Sequence, residues 1–196
     1  GAIKLKRSDV ERLSRDTVFN ETELRALAAL FGSLAEDGLM SRASFKAALT
    51  FRDGALLQRV FSVFDEDGDA AISLDEYLRC LSTLDARSPA DSKLQFAFKI
   101  WDEDNDGLIS RNDLSAIMTA TLREHDIVIT PEEIRGIVES TMTEVGAADG
   151  MITWEQYSRL VSANPDLISS LSLNLQSTIE SYLRTNRVST TTPRQP

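Results

Sequence analysis

Apolar residues recur at every third or fourth position in several long segments, the period of a helix that buries one face. "NETELRALAALFGSL" sets Leu24, Leu27, Ala28, Phe31 and Leu34 on one side, with Asn20 and Glu23 forming a capping box at its start. "SKLQFAFKIW" does the same with Leu94, Ala97, Phe98 and Trp101. "TPEEIRGIVESTM" begins with Thr130 as a cap, Pro131 at the first helical position and Glu133 completing the box. Between such helices lie short polar loops, each ending in a small residue followed by an apolar one. The apolar residue falls at Met40, Ile72, Ile109 and Ile152, at intervals of 32, 37 and 43 residues. This is an internal repeat of helix, loop and helix. The pattern predicts an all-α fold of four such units in two paired lobes. Strand is expected only as tiny β-ribbons where paired loops meet at these apolar residues.

The repeat sets the domain boundaries. Residues 1–17 form an N-terminal arm, 18–86 an N-lobe, 90–163 a C-lobe, 164–184 a C-terminal amphipathic helix and 185–196 a flexible polar tail. "LDARSPADS" reads as the linker between lobes. In the C-terminal helix Leu167, Leu171, Leu175 and Ile179 recur every four residues. That stripe suits either packing on the second lobe or occupation of an apolar groove elsewhere in the chain.

Composition narrows the function. The chain of 196 residues is 42% hydrophobic and 27% charged, an ordinary globular mix. Its net charge of −10 argues against nucleic acid, whose affinity comes from cationic contacts to phosphate. A single cysteine, Cys80, forms no internal disulfide, so a reducing, cytoplasmic setting is expected, with any membrane or cytoskeletal location supplied by a partner. The single histidine, His125, has no neighbour to complete a transition-metal set and reads as a solvated loop residue. No apolar run reaches the roughly 18 residues of a transmembrane segment, and no signal peptide is visible. Leu5 stands where a myristoylation signal after Gly1 needs Ser or Thr, so lipidation is not expected.

The chemistry lies in the loops. "DEDNDGLISRND" places Asp102, Asp104 and Asp106 at alternate positions, then Gly107, then Asp113. Carboxylates so close repel one another unless a cation sits among them. The stretch resembles the twelve-residue EF-hand calcium loop. Calcium takes six to eight oxygens; positions one, three and five supply carboxylates, glycine at six allows a positive φ, Leu108 at seven offers its carbonyl, Ser110 at nine acts through water, and Asp113 closes the shell. Asp113 departs from the usual glutamate. Being one methylene shorter, it predicts a single coordinating oxygen, weaker calcium binding and competition from magnesium.

"DEDGDAAISLDE" is a second such loop, with Asp65, Asp67, Asp69, the Ala71 carbonyl, Ser73 through water and Glu76 as the bidentate closer. Ala70 stands where glycine belongs, and an alanine held at positive φ costs about 1 kcal/mol. The other two loops have lost their ligands. Ser33, Ala35 and Ser44 replace the acids of the first, and Val145, Ala147 and Gln156 those of the last; only Asp37–Gly38 and Asp149–Gly150 survive. Two calcium sites are therefore expected, each beside a loop kept for structure.

The four-unit layout resembles the calcineurin B and calcineurin B-like branch of EF-hand calcium sensors, from about Val18 to Tyr182. "FSVFDEDGDAAISLDEYLRCL" and "KLQFAFKIWDEDNDGLIS" look like its second and third hands, "REHDIVITPEEI" like its linker before the fourth, and "NPDLISSLSLNL" like the segment after it. Neuronal calcium sensors, axonemal sensors of the calaxin type and the EF-hand domain of calcium-regulated NADPH oxidases share much of this pattern. The resemblance implies a regulatory, signalling subunit that opens a hydrophobic groove and holds an amphipathic helix of a target protein such as a kinase or phosphatase. Phe19, Leu27, Phe31, Phe45, Phe61, Phe64, Tyr77, Leu81, Phe96, Phe98 and Trp101 are candidates for core or groove, with core the commoner role for each. Four methionines are too few for a promiscuous, methionine-rich groove.

A calcium or magnesium buffer and a constitutive light chain or docking subunit, axonemal or on a motor, are the competing non-enzymatic readings. No phosphate-binding glycine loop, nucleophile elbow or histidine–carboxylate pair is present, so an enzyme is not expected.

Overall fold

The computed structural model describes residues 3–49, 54–85 and 87–163. The C-terminal amphipathic helix expected over 164–184, and the tail 185–196, lie outside the described residues.

Among the described residues the chain is helical apart from two ribbons. Its elements run α1 (Arg7–Asp16), α2 (Glu21–Leu34), β1 (Leu39–Met40), α3 (Arg42–Leu49), α4 (Gly54–Phe64), β2 (Ile72–Ser73), α5 (Leu74–Leu84), α6 (Ala90–Trp101), β3 (Ile109–Ser110), α7 (Arg111–Glu124), α8 (Pro131–Val145), β4 (Met151–Ile152) and α9 (Trp154–Ala163). They divide into two units. One comprises residues 3–49 and 64–93; the other comprises 54–63 and 94–163, so α4 up to Val63 belongs with the second.

In the first unit β1 and β2 pair antiparallel, with Met40 opposite Ile72. Both side chains are fully buried, so the ribbon fixes the two loops and also seals the core beneath them. Leu24, Ala28 and Phe31 of α2 pack inward, Phe31 against Tyr77 of α5 with ring centroids 5.2 Å apart, and Phe45 meets Phe64 edge-on at 5.1 Å. Burial of each such ring contributes about 1.5–3 kcal/mol. The N-terminal arm holds a helix, α1, which buries Val10 and Leu13 and ties Arg12 to Asp75 at 2.7 Å. The stretch expected as a plain linker is structured at its start: Asp85 is buried and paired with Arg87, which also reaches Glu23 and lies over the Phe19 ring.

In the second unit β3 and β4 pair in the same manner, with Ile109 opposite Ile152. Phe98 of α6 meets Tyr157 and Trp154 of α9 edge-on at 5.2 and 5.6 Å. The periodicity placed a single face of α6 inward, but Phe96 and Ile100 are buried along with Phe98 and Trp101, so the helix is covered on more than one side. The capping box at Thr130 forms as its sequence requires, Glu133 accepting from the Thr130 amide at 2.8 Å.

Candidate metal centres

Each acidic loop bridges the end of one helix and the start of the next. Loop two begins after Phe64 and runs into α5; its ninth and twelfth positions, Ser73 and Glu76, are also the cap and third residue of that helix. Ser110 and Asp113 hold the same places on α7, and Thr153 and Gln156 make the equivalent contacts on α9. A single pair of side chains thus starts the exiting helix and closes the loop.

The backbone of both loops curls around its first aspartate. Asp65 accepts from the amides of Asp69 and Ala70 at 3.1 and 3.0 Å, and Asp102 from those of Asp106 and Gly107 at 3.1 and 3.0 Å. The curl needs left-handed backbone at positions four and six. Gly68 and Ala70 supply it in one loop at φ 73° and 69°, and Asn105 and Gly107 in the other at 58° and 86°. Position six was expected from the sequence. Position four was not singled out, although a glycine and an asparagine are residues that tolerate this conformation.

Carboxylate oxygens of Asp65, Asp67 and Glu76 gather within 4.8 Å of one another, as do those of Asp102, Asp104 and Asp106. All the side-chain donors are hard oxygens, and clustered acids followed by a main-chain carbonyl position, Ala71 or Leu108, suit calcium. Asp69 and Asp113 stand outside these two gatherings. Asp69 accepts from the Ala71 amide at 2.8 Å, and Asp113 from the Ser110 amide at 2.7 Å.

The two closing residues behave differently. Glu76 reaches across its loop, accepting from the amides of Glu66 and Asp67 on one oxygen and from the Ser73 amide and hydroxyl on the other. Burial pushes its carboxyl up, but the hydrogen bonds from Ser73, Asp67 and Glu66 outweigh it and hold the pKa below the ordinary value. The shorter Asp113 engages Ser110 alone among the hydrogen bonds to its carboxylate and does not join the acids at the loop's start. Asp102 is buried. Desolvation raises its carboxyl's pKa, helped by the charge of Asp106 and opposed by the two loop amides and Arg59.

Arg59 is the residue that sequence reasoning missed. It lies on α4, is 5% exposed, and spreads its guanidinium over the end of α6 and the start of the Asp102–Asp113 loop, loop three of the four in chain order. It donates to the carbonyls of Ile100 and Glu103, each at 3.1 Å, to those of Lys99 and Asp102, and to Asn105 Oδ1 at 3.0 Å.

Every residue named as a candidate for groove or core is buried, from Phe31 at 0% exposure to Phe98 at 7%. Exposed large apolar side chains among the described residues of the second unit are Ile127, Val128 and Ile137; the first two line a cleft of about 620 Å³ between α7 and α8, beside Leu122, Arg123 and Arg135. His125 is exposed at the end of α7, as expected. No helix among the described residues is long and apolar enough to cross a membrane.

Helix–acidic loop–helix units, paired through two-residue ribbons, define an EF-hand architecture, and the family model of the EF-hand domain pair matches residues 54–119, which carry both acidic loops. A calcineurin B protein of Naegleria gruberi is 29% identical over 174 residues, spanning 87% of this chain and 96% of that protein. Neuronal calcium sensor 1 of Lymnaea stagnalis is 31% identical over 182 residues, 88% of this chain and 95% of that one. Calcineurin B-like protein 5 of Arabidopsis thaliana is 26% identical over 176 residues, 86% and 87% of the two chains. The chain belongs to the EF-hand calcium-sensor family that includes the calcineurin B, calcineurin B-like and neuronal calcium sensor proteins.

Proposed function

We propose that this protein binds calcium at two loops, Asp65–Glu76 and Asp102–Asp113, and passes their occupancy to a target protein. One observation carries the reading: each acidic loop is joined by its ribbon to a loop without ligands, so each unit has one responsive loop braced by a passive one. A cation drawing the carboxylates together must pull on α5 or α7 through Glu76 or Asp113, because those residues sit in the helix's first turn. The relatives support the regulatory sense; one is named as part of calcineurin, another as a calcium sensor.

In this reading Asp65, Asp67, Asp69, the Ala71 carbonyl and Glu76 hold one ion, and Asp102, Asp104, Asp106, the Leu108 carbonyl and Asp113 the other. Magnesium, content with six ligands, competes at the loop closed by Asp113. The target contributes an amphipathic helix. Because the aromatic side chains are buried, the groove for it opens only when helices part. The protein works in the cytoplasm and catalyses nothing itself.

Binding of an apolar dye, measured with and without calcium in the full chain, tests the sensor. A calcium-dependent rise in dye fluorescence is expected. Tight calcium uptake without it would identify a buffer. A constitutive light chain is the second reading, favoured by Asp113 lying apart from its loop's other acids; it predicts target binding that ignores calcium.

A further inference from the structure

We infer that Arg59 is a positioning residue for the Asp102–Asp113 loop: its guanidinium clamps the backbone that enters the loop and so sets how tightly that loop holds calcium. The inference rests on the reading of that loop as a calcium site. It goes beyond it in placing a determinant of affinity on α4, 43 residues before the first ligand.

The geometry is that of a cap made by a side chain remote in sequence. The last carbonyls of a helix have no partner within it and need one from elsewhere. At the end of α6 the bonds to the Ile100 and Asp102 carbonyls are buried and that to Lys99 is partly so, and the Arg59 fork supplies the donors to all three. The same fork continues past the helix to the Glu103 carbonyl and the Asn105 side chain. It therefore holds positions one, two and four of the loop together, and Asn105 is one of the left-handed residues that make the loop curl. A planar group with five donors fits this arc of acceptors; a lysine ammonium, a point charge with three, does not.

Charge alone predicts the opposite outcome. A cation beside Asp102, Asp104 and Asp113 repels an arriving calcium ion, so an Arg59 that acted only through its field would weaken the site, and its removal would tighten it. An Arg59 that shapes the loop in advance strengthens the site, because the ordering is complete before the ion arrives. Replacement by lysine separates the two, since it keeps the charge and loses the fork.

The test uses the full chain with Trp154→Phe, so that Trp101, next to Asp102, reports on loop three, while calorimetry follows both loops. Arg59→Lys should weaken calcium at loop three about tenfold and leave loop two unchanged. Asn105→Gly keeps the left-handed backbone and removes one acceptor; it should weaken loop three in the same direction but less. In the metal-free protein, the amides of Asp106 and Gly107 should exchange faster with solvent in both variants. Unchanged or tighter calcium binding in Arg59→Lys would overturn the inference, as would equal weakening of both loops, which marks general destabilisation. If the parent loop three takes up no calcium, the functional reading fails and the affinity claim with it; amide exchange then decides separately whether the clamp exists.

Discussion

At the scale of single residues, the two acidic loops share half of their twelve positions, and among those that differ, the sixth and the twelfth have effects that can be separated. Ala70 is held at φ 69°, where its β-carbon clashes with its own backbone, whereas Gly107 is at 86° without that cost. Ala70→Gly should stabilise the protein by about 1 kcal/mol, and Gly107→Ala should destabilise it by a similar amount, both read from thermal unfolding without metal. At the closing position, Glu76 spans its loop and Asp113 does not. Asp113→Glu should raise calcium affinity at loop three and reduce magnesium competition there, as followed by calorimetry in both ions. These features were legible because an EF-hand loop is a local object: its ligands lie within twelve residues, and ligand chemistry dictates residue type at each one. Arg59 was illegible for the converse reason. Its acceptors on α6 and the loop are 40 to 46 residues away, and nothing in "LLQRVF" distinguishes a buried arginine from a solvated one.

At the scale of elements, capping explains why the helices begin where they do. Thr130, Pro131 and Glu133 marked the start of α8 in the sequence, and Thr130 accepts from the Glu133 amide at 3.2 Å. Thr130→Ala should cost about 1 kcal/mol in chemical denaturation, with calcium binding at loop two unaffected. The N-terminal helix α1 is attached through Arg12 and Asp75, whose side chains are 40% and 34% exposed. The hydrogen bond from Arg12 holds the Asp75 carboxyl below its ordinary pKa, so the pair contributes stability above pH about 4 and loses it as pH falls through the lowered value. The metal-free Arg12→Gln variant should therefore be less stable than the parent at neutral pH, and the gap should close on acidification. The helix itself is short and polar, and its partner is 63 residues away, so no local pattern pointed to the attachment. The ribbons were the opposite case: once the repeats are aligned, Met40 falls opposite Ile72 and Ile109 opposite Ile152, because the paired loops meet at equivalent positions.

At the scale of the whole molecule, the central claim is that two unequal calcium sites, each beside a passive loop, drive a change that a target can read. Composition supplied the aromatic residues but not their disposition; eleven side chains that could have lined a groove are all buried, and only packing distinguishes those roles. The direct test is a calorimetric calcium titration of the full chain, with and without magnesium, while Trp101 fluorescence is followed. The account predicts two binding events, a fluorescence change on filling loop three, and a magnesium effect concentrated at that loop. One event, or none, with tryptophan fluorescence unmoved, would contradict it and leave a structural protein that keeps a calcium-sensor fold without the switch.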